Sequence, residues 1–92
     1  MTAAEGLIHR QRKRLGTLVT WAQAREILGK SRDAILKRAW DEIERAMPEA
    51  TLAEQRRAMD ERGSVFHCAG LRVWVGRLST HYTCRIKEIP SH

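Results

Sequence analysis

The chain has 92 residues, 42% of them hydrophobic and 30% charged, enough for one modest core and too few for two. Seventeen Lys and Arg against eleven Asp and Glu give a net charge of +6, a balance that favours polyanions or acidic protein surfaces as partners. No apolar run approaches the ~18 residues of a membrane helix, and His9 and Arg10 follow Leu7-Ile8 before a signal-peptide core can form, so no membrane association and a reducing cytoplasm are expected.

In chain order, Ala3 to Leu15 is predicted to be a first helix, with Leu7, Ile8 and Leu15 on one side and Arg10, Arg12, Lys13 and Arg14 on the rest. Gly16 stops it. Thr20 and Gln23 then form a capping box that starts a second helix near Trp21. Gly29 stands where a left-handed residue must end that helix, and Ser31 caps the next one. Ala24, Ile27 and Leu28 face Ala34, Ile35 and Ala39 across this corner, the alanines permitting close approach. From Arg32 to about Met47, Ile35, Leu36, Ala39, Trp40 and Ile43 make an apolar stripe wide enough for the main core helix, which Pro48 ends. Thr51 with Glu54 is a second capping box, opening a helix over Leu52–Arg62 that Gly63 closes. That helix has little apolar surface, which makes it the expected interface of any homodimer.

At Ser64 the hydrophobic period changes from helical to two, and Val65–Cys68, Leu71–Arg77 and Tyr82–Ile89 read as a three-stranded antiparallel meander with turns at Ala69-Gly70 and Ser79-Thr80. Registered on those turns, Cys68 faces Leu71, Phe66 faces Val73, Val75 faces Cys84 and Val73 faces Ile86. One face is then almost wholly apolar. The opposite face collects His67, Arg72, Trp74, Arg85 and Lys87.

The string from Thr20 to Arg38 resembles helix-turn-helix domains of the Fis and MerR type, whose turn is carried here by Ala24, Leu28, Gly29, Ser31 and Ile35; Arg25 and Ala34 depart from it, where Ala and Thr are usual. The resemblance implies that Ser31, Arg32, Asp33, Leu36 and Lys37 lie near the major groove of duplex DNA. Arg38, and Arg12, Lys13 and Arg14 of the first helix, are expected to support them on the phosphates. A sheet after such a helix pair can serve as a wing, with Arg77 and His81 beside its turn as contacts. The rival is a small phage-type inhibitor or adaptor docking on a host protein or nucleoprotein complex through the face formed by His67, Arg72, Trp74, Arg85 and Lys87, with Trp74 or His67 stacking and the cations on acidic groups.

His67, Cys68, His81 and Cys84 do not suit zinc, because His67 and Cys68 are strand neighbours on opposite faces and Cys84 lies a strand further on; no metal and no cofactor are expected. The same separation opposes a Cys68–Cys84 disulfide. The chain has no nucleophile elbow, phosphate-cradling loop or paired carboxylates in an apolar setting, so no enzyme is expected. The expectation is a single α+β domain over residues 1–92, helical to 63 and β from 64, acting as a basic DNA-binding regulator of bacterial or phage type.

Overall fold

The computed structural model describes residues 14–78 and 80–90. Strand β1 (Thr17–Val19) is followed by helices α1 (Trp21–Leu28), α2 (Arg32–Ala46) and α3 (Leu52–Glu61), then by strands β2 (Ser64–Cys68), β3 (Leu71–Leu78) and β4 (His81–Glu88). The class is α+β, and the described residues form a four-stranded antiparallel sheet in the order β1-β4-β3-β2 rather than the expected meander of three. The added strand is β1, in which Thr17 pairs with Ile86 and Val19 with Cys84. Three residues are too few to show an alternation, and their partner lies far along the chain, so local pattern does not reveal the pairing. Gly16 makes the approach possible: its φ is +128°, and a Cβ there would stand 2.6 Å from the Ile86 carbonyl oxygen. Of the helix expected over Ala3–Leu15, residues 3–13 lie outside the described residues, and Arg14 and Leu15 form a turn.

The helix termini follow their capping chemistry. Thr20 Oγ1 accepts from the Gln23 amide and Gln23 Oε1 accepts from the Thr20 amide, closing the capping box that opens α1. Gly29 is left-handed at φ +66°, and Ser31 Oγ accepts from the Ala34 amide to open α2. Thr51 and Glu54 repeat the box at α3.

All three helices pack on one face of the sheet. Ala24, Leu28, Ile35, Ala39, Ile43 and Met59 meet Phe66, Val73, Val75, Cys84 and Ile86 in a single cluster, and Ser64 Oγ donates across it to the Ala39 carbonyl at 2.8 Å. The predicted register is the observed one at all four pairs: Cys68 with Leu71, Phe66 with Val73, Val75 with Cys84, and Val73 with Ile86. Ala69 and Gly70 make the β2–β3 turn with φ of +54° and +75°, the double positive φ of a type I′ hairpin.

Candidate nucleic-acid interface

The corner of α1 and α2 presents its first residues to solvent. Lys30, Ser31, Arg32, Asp33, Ala34 and Lys37 are all exposed, because the buried stripe of α2 runs along Ile35, Ala39 and Ile43. The Arg32 guanidinium lies 5.5 Å from the centre of the Trp21 ring, which keeps it beside α1. Lys37 Nζ is 3.0 Å from Asp41 Oδ2 with 78% of its side chain exposed; an ion pair this open contributes little and rearranges readily. Arg38 is held more firmly, bonded to Glu42 and 5.1 Å from the Phe66 ring centre. The bond from Arg38, helped by Arg45, keeps the Glu42 carboxyl below the usual carboxylate range. Leu36, expected near the groove, is half-buried against the core. Arg14 is exposed in the turn before β1, while Arg12 and Lys13 lie outside the described residues.

The sheet face opposite the helices divides in two, which corrects the expected interaction surface. Trp74 is 1% exposed and Arg85 4%. The Trp74 indole donates to the Arg62 carbonyl at 2.9 Å. Its ring occupies a slot between Gly63 and Gly76, where a Cβ on either glycine would collide with it. Arg85 donates to the Gly16 carbonyl at 2.9 Å. Neither side chain can serve as an open stacking platform. His67, Arg72 and Lys87 are exposed, and the pairings place them in one line across β2, β3 and β4.

That line is unusual in its charge. Arg72 stands directly opposite Lys87 on one side and His67 on the other, and among the described residues no carboxylate forms an ion pair with any of the three. Arg72 and Lys87 are like charges placed across a ladder, an arrangement that opposes folding. Their place also matters. A groove beside the β2 edge brings Lys30, Ala34, Lys37 and Arg38 together with Phe66, His67, Cys68 and Ala69, so the start of α2 and the β2–β3 turn occupy the same end of the molecule. Arg77 and His81, expected as wing contacts, border the β3–β4 turn at the other end of β3, ~23 Å away along an eight-residue strand. Arg77 is moreover engaged there, with Asp60 at 3.4 Å and the Tyr82 ring at 5.4 Å. The hairpin beside α2 is therefore β2–β3.

The start of α2 and His67 of the basic sheet face thus line one groove together with Lys30, a basic residue of the corner outside the expected DNA contacts. Its signal was its place in the corner itself, between Gly29 and Ser31. Cys68 and Cys84 are free thiols on strands separated by β3, and no helix among the described residues is long and apolar enough to cross a membrane. No family model, curated protein or solved structure matches the chain.

Proposed function

We propose that this chain is a small cytoplasmic DNA-binding regulator that sets the first turn of α2 toward the major groove and lays its β2–β3 hairpin on the flanking phosphates. The observation that carries the reading is the row His67, Arg72 and Lys87, exposed and without an ion-pairing carboxylate among the described residues, whose end at His67 lines one groove with the exposed Lys30 and Lys37 at the start of α2. Cations set against each other across a sheet cost stability, and a polyanion laid over them removes that cost. Arg32 and Lys37 then supply contacts from the helix, Lys37 exchanging an open ion pair for a phosphate.

Fluorescence anisotropy against random-sequence duplex DNA over a salt series tests this. Affinity should fall steeply with salt, and Arg72→Ala or Lys87→Ala should each reduce the slope of log affinity against log salt by about 1. Arg32→Ala combined with Lys37→Ala should lower affinity for a selected site by about tenfold or more. Absence of binding at ~50 mM salt would overturn the reading. Docking on a protein through the broad sheet face has lost Trp74 and Arg85 to burial; the support that remains for a protein partner lies at the edge of β2.

A further inference from the structure

From the outer edge of β2 and the groove beside it we infer a second binding function: an acidic, extended peptide segment of a partner protein adds to this edge as a fifth strand. The inference is independent of DNA binding, although the two would share Lys30 and Lys37.

The hairpin geometry decides which backbone groups are on offer. A two-residue type I′ turn is closed by a hydrogen-bonded pair, here Cys68 and Leu71. Pairs of that kind recur at every second residue, so Phe66 and Ser64 also spend their amides and carbonyls on Val73 and Val75. Val65 and His67 occupy the alternate positions, and their N–H and C=O groups point away from β3. β2 is the last strand of the sheet, and among the described residues no strand pairs with that side. His67 is exposed and Val65 half-buried. Protein edges of this type are usually blunted by charge, proline or a bulge, because they otherwise recruit strands. Ser64–Cys68 contains no proline, and its pairing with β3 is continuous over all five residues, without a bulge.

The groove next to this edge states what kind of strand fits. Its floor is Phe66 with Ala34, and its helical wall carries Lys37 and Arg38 with Lys30 at the end; Asp41 is the single carboxylate among the residues lining it. A strand added at β2 turns every second side chain toward α2. Carboxylates at those positions meet Lys37 and Lys30, and small apolar residues between them lie beyond the edge on the other face. A second copy of this chain is disfavoured, because pairing β2 with itself about a two-fold axis brings two cationic walls and two His67 residues together.

The test uses the full chain and a fluorescein-labelled peptide of alternating Glu and Val, with a Lys and Val peptide as control. Backbone amide exchange by NMR gives the direct readout. Saturating acidic peptide should slow exchange at Val65 and His67 by about tenfold or more while leaving Phe66 unchanged, since only the former lack a ladder partner in the free chain. Val65→Pro removes one outward donor and no bond to β3, and should weaken the peptide by about tenfold. Acidic peptides N-methylated at one or the other set of alternate amides keep the protein unaltered: one should bind and the other should not. Binding of both, binding by the Lys and Val peptide, or exchange that slows with protein concentration alone would overturn the inference, the last in favour of self-association. Because no DNA enters the assay, its failure leaves the DNA reading standing, and the reverse also holds.

Discussion

Cys84 is a side chain whose chemistry is set by what surrounds it. It sits at 0% exposure between Val75 on β3 and Val19 on β1, and burial pushes its thiol from about 9 up to about 11. The folded state therefore holds this proton more tightly than the unfolded state. Stability from this group is complete below pH ~9 and drains away as pH rises toward ~11. Denaturant titrations of the chain and of Cys84→Ala should converge over that interval, the variant starting lower from its cavity and losing less as pH rises. Parallel curves would show that the thiolate is not what the core excludes. Trp74 teaches a second lesson at this scale. Alternation told correctly that it lies opposite Val73 and Val75, but period two says only which face a residue takes and nothing about what covers that face. The signal that could have found its burial was glycine: Gly76 inside a strand, with Gly63 just ahead of the strand that pairs with it, is a pair of missing side chains that leaves room for an indole.

Among the elements, α2 has two duties, a buried stripe toward the sheet and a first turn toward solvent, and Ser31 stands at the boundary. Its hydroxyl caps the helix. Ser31→Ala should cost about 1 kcal/mol and loosen the turn that carries Arg32. Ser31→Asp keeps the cap and suits the positive end of the helix, so thermal stability should hold or rise. On the proposed function the same change sets a carboxylate against phosphate, so DNA affinity should fall although the fold is intact. An affinity unchanged in Ser31→Asp would place the DNA away from this turn. The caps and the register of β2, β3 and β4 were legible because each depends on residues a few positions apart: Thr20 with Gln23, Thr51 with Glu54, Ala69-Gly70 between two alternating runs. β1 was not, because its partner β4, adjacent in the sheet, lies far along the chain. The same limit hid which hairpin lies beside the start of α2. Residue types near the Ser79-Thr80 turn suited phosphate contact, but only the path of α2 across the sheet shows that its first turn ends beside Ala69 instead.

For the whole molecule, one sheet carries two unequal cores. The helices cover one face with a continuous apolar cluster, while on the other Trp74 is enclosed with an indole bond to Arg62. Trp74→Ala should cost ~3–5 kcal/mol, a large share of what a domain of this size possesses. Its melting transition should fall sharply or vanish by circular dichroism. A loss of partner binding in that variant would consequently report unfolding, whereas Arg72→Ala and Lys87→Ala, both exposed, test the surface alone. Were Trp74→Ala to melt like the parent chain, the second core would have no energetic weight.

The pairing of β1 with β4 also governs when the fold can form. Thr17 meets Ile86, and Arg85 reaches back 69 positions to the Gly16 carbonyl. A ribosome that has released α1, α2 and α3 has made half of a core whose floor is still unsynthesised, and the strand that closes the early edge comes last. Contacts of such long sequence separation are slow to assemble. Until β4 emerges, Leu28, Ile35 and Ile43 have at most the β2–β3 hairpin beneath them, without Cys84 and Ile86, and apolar surface left open in this way is what makes an incomplete chain prone to aggregate.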